Sequence, residues 1–219
     1  MKIRLNPSFL SFVWLFVAMW LVLGEEESGV RPLLRDLVSE DAGIREKAQA
    51  NLLTLTASLS IESRSEMIIG LTNILKDVQI QGTREDSINR AIFILGEMRV
   101  PETIPRLIEL IGFPLVQPAG THPSYGQPVG MGTLRKSVRG TFPAVEALIK
   151  IGDPCMKQVI EKLQATNSVL EMKACLGVLL GIKGKASASA LIRDAMAGAS
   201  QLENRERLQN SLEMIGRLE

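Results

Sequence analysis

One histidine, two cysteines and a short glycine-rich stretch are the groups in this 219-residue chain whose type and setting suggest chemistry. His122 lies in "AGTHPSYGQP", beside Tyr125, with no second imidazole anywhere to share a metal or relay a proton. An imidazole in such a Pro/Gly setting reads as a solvated side chain rather than a base or ligand. A nucleophilic cysteine needs a lowered pKa and a basic partner. Cys155 stands near a predicted helix start, yet His122 is the one imidazole available to it, so the thiol reads as structural. The stretch "GMGTLRKS" places Gly130 and Gly132 before Lys136 and Ser137 without the spacing of a phosphate-binding P-loop. Its remaining use is to receive an anion at the following helix start, near Arg135, Lys136 and Arg139. Glu25, Glu26 and Glu27, like Glu40 and Glu46, read as solvated or capping carboxylates. The expectation is a protein with no catalytic residue, no metal-ligand set and no cofactor.

Composition narrows the partners. With 25 basic and 24 acidic residues the chain carries a net charge of +1 and no concentrated basic stripe, which argues against nucleic acid. The first two dozen residues run from Lys2 and Arg4 through an apolar stretch at 9–23, broken by Ser11 alone, to the acidic Glu25–Glu26–Glu27. That three-part pattern is that of a secretory signal peptide over 1–24, read as cleaved before Glu25. The alternative is an uncleaved anchor, for which a run of 15 residues falls short of the roughly 20 that span a bilayer. The protein is therefore expected to be exported, periplasmic or extracellular, with any membrane contact made through this segment.

Removing 1–24 takes away Phe9, Phe12, Trp14, Phe16 and Trp20. Phe93, Phe113, Tyr125 and Phe142 remain, so the interior must be aliphatic, and stacking platforms for bases or sugars are missing. In an oxidising compartment Cys155 and Cys175 have two open readings. They fall on consecutive predicted helices, offset along the axis by about 4.5 Å at 1.5 Å per residue, so they either bridge or remain two small buried thiols.

The elements that position these groups repeat. "LGEMRVPETIPRLIEL" from Leu95 aligns with "LIKIGDPCMKQVIEKL" from Leu148 at an offset of 53, and the latter with "LLGIKGKASASALIRD" from Leu179 at 31. The difference of 22 equals the length of "FPLVQPAGTHPSYGQPVGMGTL", residues 113–134, whose four prolines and four glycines cannot continue a helix. A 31-residue unit carrying an inserted loop accounts for both offsets. Each unit reads as two helices. In "ALIKIGDP" Gly152 is expected to take a left-handed conformation, Asp153 to cap the next helix and Pro154 to occupy its first position. Pro101 does the same one unit earlier, and Pro105 stays within the first turn. Helices are predicted near 30–39, 42–59, 62–77, 84–98, 102–111, 134–151, 155–165, 168–182, 186–197 and 202–218, with no strand.

These paired aliphatic helices around a Gly-Asp-Pro-like turn resemble HEAT or HEAT-like repeats of the phycobilisome-lyase type. The resemblance covers residues 84–197, although "IKGKAS" lacks the turn proline. It implies an all-α solenoid of stacked hairpins over 25–219, with the insertion at 113–134. HEAT-like iron hydroxylases use several His-Glu pairs, and none exists here. Phycobilin lyases share such units, but export and the shortage of aromatics argue against that activity.

A solenoid offers surface. Position-matched residues on successive second helices line up into a stripe, and the offsets match Glu109 with Lys162 and Lys162 with Arg193. The stripe serves either a partner or an inter-repeat ion pair between Glu109 and Lys162. The insertion, with His122 and Tyr125, is a second contact candidate, since structureless loops of this length are uncommon in compact domains. The leading expectation is an exported scaffold or assembly factor that binds a protein or peptide. The alternative is a regulatory or chaperone-like subunit whose loop reaches an enzyme's active site or a small anionic ligand.

Overall fold

Aliphatic residues at three- and four-residue spacing, interrupted by prolines, glycines and small polar caps, dictate helices and nothing else. The computed structural model describes residues 29–76, 83–113 and 142–217, and among them every regular element is helical. In chain order these are α1 (Val30–Asp36), α2 (Ala42–Leu55), α3 (Ile61–Lys76), α4 (Thr83–Glu97), α5 (Ile104–Glu109), α6 (Pro143–Ile151), α7 (Met156–Ala165), α8 (Val169–Gly198) and α9 (Leu202–Gly216). Short 3₁₀ turns at Pro101–Thr103 and Asp153–Cys155 lead into α5 and α7.

Helix starts follow the expected chemistry in part. The Asp41 carboxylate accepts from Gly43 N at 2.7 Å and Ile44 N at 3.1 Å, fixing the start of α2. Ser168 accepts from Glu171 N at the start of α8. Pro105 lies in the first turn of α5, where its missing N–H leaves no gap in the helix. Asp153, by contrast, is not a cap. It stands inside the 3₁₀ turn, its side chain accepts no bond from the following backbone, and its carboxylate takes Lys183 Nζ at 2.7 Å instead. Gly152 has the positive φ foreseen for it, +83°, but ψ is −143°, outside the left-handed helical well.

Three described residues have positive φ: Arg99 at +51°, Gly152 at +83° and Gly184 at +75°, spaced by 53 and 32 where the sequence offsets are 53 and 31. Gly184 breaks the helical path within α8, where "IKGKAS" separates the two helices read from the sequence. Glycine accommodates this backbone at little cost, whereas Arg99 carries a Cβ there.

Packing is local and alternating. α2 packs on α4, α4 on α6, α6 on α8 and α8 on α9, forming a first row. α1 packs on α3 and α5 on α7 in a second row, and Arg106 of α5 donates to the Leu75 carbonyl at the end of α3. Of the first row, α2, α4 and α6 run in the same direction. Arg45 meets Asp86 at 2.7 Å near the starts of α2 and α4, while Lys150 meets Glu97 near the ends of α4 and α6. Close approach is set by glycine: Gly96 lies against Ala147, Gly70 against Leu34 and Gly181 against Ile149.

The interior is aliphatic, as the loss of aromatics requires. Leu52, Leu71, Ile92, Leu95, Leu107, Leu148, Val159, Leu176 and Leu179 are wholly buried in one cluster, with Phe142 the buried aromatic among the described residues. Residues 174–180 are buried without interruption, so the first half of α8 is surrounded by neighbours. By length and composition α8 is apolar enough to cross a membrane; its apolar half is the part that α6, α7 and α9 cover.

Candidate interaction surface

The groups with chemical potential divide by position. His122, Tyr125, Arg135, Lys136 and Arg139 lie outside the described residues, as do the 1–24 segment and most of the 113–134 insertion. Cys155 and Cys175 are both free and buried, so the bridge weighed from the sequence is not formed. Cys155 Sγ donates to the Leu148 carbonyl at 3.6 Å, turned into its own hairpin. Burial pushes the Cys155 thiol up to about 11 and Cys175 up to about 12, the reverse of what a nucleophile needs. Among the described residues no group of three or more His, Cys, Asp or Glu side chains is placed to hold a metal ion.

Of the stripe, each member has a different local setting. Glu109 pairs with Arg106 one turn back on α5. Lys162, near the end of α7, pairs with Glu171 at 2.8 Å. The inter-repeat pair between Glu109 and Lys162 is therefore not made, because each charge finds a nearer partner. Burial alone would raise Glu171, but hydrogen bonds from Lys162 and Thr166, with the Lys162 charge, hold its carboxyl below the usual range. Arg193 is exposed and has no ion-pair partner among the described residues. It forms one wall of an open groove of about 490 Å³ between the last turns of α8 and the middle of α9, with Met196, Ala197, Arg205, Glu206, Gln209 and Asn210.

A second feature was not foreseen from the sequence. Seven large apolar residues are well exposed among the described ones, and five sit at the turns that lead into first-row helices: Val38 and Ile44 at α2, Val169 and Leu170 at α8, and Leu202 at α9. Leu202 is 71% exposed and Val169 58%. The starts of α8 and α9 are joined locally, since Arg207 of α9 donates to the Gln164 carbonyl at 2.7 Å and to Asn167 Oδ1 at 2.9 Å. The insertion departs after Phe113 on the same side: a Cβ on Gly112 would fall 2.8 Å from Glu171 Cγ, next to Leu170. The sequence carried a signal only at Leu202, whose i+3 and i+4 positions are Arg205 and Glu206; Val169, Leu170 and Ile44 have the buried Met172, Ala174 and Ala48 at helical spacing and look like core residues. Single exposed aliphatics carry no message; several on one edge mark a contact surface.

Comparison with known proteins adds little. No family model and no curated protein matches the chain. The crystal structure of an engineered protein shares 17% identity over 86% of this chain and 79% of that one, with a TM-score of 0.37, a likeness too distant to carry any conclusion about fold or function.

Proposed function

We propose that this chain is an exported, HEAT-like α-solenoid that binds a protein or peptide partner as a scaffold or assembly factor and performs no catalysis of its own. The observation that carries the reading is the edge just described, where exposed Val169, Leu170 and Leu202 stand beside the point at which the Pro/Gly-rich insertion leaves the stack. An apolar edge next to a long insertion is what a contact surface requires. The solenoid part draws support from the alternating helix contacts and from the recurrence of positive φ at spacings of 53 and 32. Export rests on the composition of residues 1–24.

The experiment is affinity capture from an envelope extract with three baits: the chain from Glu25, the same chain lacking 117–132, and a Val169→Ser, Leu170→Ser, Leu202→Ser variant. A partner identified by mass spectrometry is then purified and titrated against each bait. Saturable binding by the intact chain, weakened in at least one of the altered baits with helicity unchanged, is the expected result. Turnover of a substrate by the purified chain alone, or a partner titrating equally onto all three baits, would overturn the reading.

A further inference from the structure

Successive units treat the cation near the end of their second helix differently. In the unit of α7, Lys162 is followed by α8, whose third residue, Glu171, turns its carboxylate back onto Lys162 Nζ at 2.8 Å. The matching residue one unit later, at an offset of 31, is Arg193. There the following helix is α9, and the residue that matches Glu171 at the same offset is Leu202, an exposed apolar side chain, while the adjacent Glu203 is taken by Arg207. The last unit thus keeps the cation and lacks the acid that would satisfy it.

The surroundings of Arg193 suit a replacement acid. Arg205 commits Nε to the Ala199 carbonyl at 2.7 Å and has no ion-pair partner among the described residues, so its terminal nitrogens are available from the same groove. Glu206 lines the wall without forming an ion pair with either arginine, and it opposes a doubly charged ligand more than a singly charged one. Guanidinium groups present paired donors that match a carboxylate. Met196 and Ala197 supply an apolar strip beside them, and about 490 Å³ lies within the range of small-ligand clefts, enough for a few residues of extended peptide.

We infer that the groove between α8 and α9 binds a peptide carboxylate through Arg193 and Arg205, with an aliphatic neighbour of that carboxylate resting on Met196 and Ala197. The carboxylate comes either from an acidic side chain or from a chain terminus. The inference deepens the partner-binding reading and rests on it.

The test uses the chain from Glu25 and fluorescence anisotropy with three fluorescein-labelled hexapeptides. One alternates leucine and glutamate with an amidated end, one replaces glutamate by glutamine, and one is the glutamine peptide with a free carboxyl end. Binding of the first or third, and not the second, is expected, and the better of these two identifies the carboxylate source. Arg193→Ala should weaken it about fivefold or more, while Lys157→Ala, an exposed change on α7, leaves it unaltered. Arg193→Ala is a surface change, so its urea midpoint should match that of the parent chain. Equal binding of the glutamine amide, unchanged affinity in Arg193→Ala, or no binding of any peptide at millimolar concentration would overturn the inference. If the captured partner still titrates onto Arg193→Ala with full affinity, the groove assignment fails while the scaffold reading stands.

Discussion

Gly96 is the position where a single methyl group should do the most damage. It lies in the last turn of α4, where a Cβ would fall 2.7 Å from Ala147 Cα and 2.9 Å from Ala147 Cβ. Taken alone, Gly→Ala within a helix is worth about 1 kcal/mol in favour of the variant. Against that gain, the obstructing atoms are backbone and a first side-chain carbon, so no rotamer change relieves them, and α4 and α6 must move apart by most of an ångström. Overpacking of this kind costs about 1–3 kcal/mol, and the upper half of that range applies because two helix backbones must shift. Gly96→Ala should therefore lose about 1–2 kcal/mol net. Gly70 and Gly181 provide the contrast. At Gly70 the Cβ would meet Leu34 Cδ1, the far end of a flexible side chain, so a rotamer cost of about 0.5–1.5 kcal/mol roughly cancels the propensity gain, whereas at Gly181 it would also meet Ile149 Cγ1 at 2.7 Å, near the stem of a stiffer β-branched side chain, which places Gly181→Ala between the other two. Urea unfolding followed by circular dichroism at 222 nm measures all three. A Gly96→Ala variant as stable as the parent, or a Gly70→Ala variant that loses more than Gly96→Ala, would refute the assignment of these glycines as contact points of unequal rigidity.

Arg99→Gly should stabilise the chain by about 0.5–1 kcal/mol, because the +51° φ of Arg99 is the one non-glycine positive φ among the described residues; a lower urea midpoint would count against it. Both cysteines should resist Ellman's reagent in the folded chain at pH 8 and react fully in denaturant, since each is buried with its thiol pushed up to about 11 or 12; rapid labelling without denaturant would contradict this. Glu171 has its carboxyl held low in the folded state, so its pairing stabilises above the unfolded carboxylate value of about 4.3 and is lost as pH falls through the lower folded value. The stability gap between the parent and Glu171→Gln should accordingly be constant from neutral pH down to about 5 and shrink below about 4, and a gap that widens on acidification would reverse the assigned sign.

Helix identity and order were legible because the aliphatic spacing is strong and the punctuation explicit. Pro105 falls in a first turn as expected, the break at Gly184 lies between the helices predicted at 168–182 and 186–197, and the positive-φ spacings of 53 and 32 come within one residue of the sequence offsets of 53 and 31. What escaped the sequence was the choice among competing local partners. Asp153 had the right type and position to cap α7, yet Lys183, 30 residues on, takes its carboxylate. Glu109 and Lys162 matched by repeat arithmetic, but Arg106 and Glu171 lie closer. Offsets specify which residues are equivalent; they do not specify which neighbour a flexible charged side chain selects. The exposed edge was hidden for a related reason, since Val169 and Leu170 look like ordinary members of apolar helices until the directions of their side chains are known.

Each described helix packs mainly on those one or two places along the chain, so among the described residues no single central contact joins all the helices. On the proposed solenoid reading, opening would begin at either end and progress inward one hairpin at a time, with the enclosed half of α8 last to exchange its amide hydrogens. Damage near α1 is then felt weakly at α9. On that reading the two ends would change independently of one another, so the proposed groove could gain or lose affinity without renegotiating the stability of the first helices.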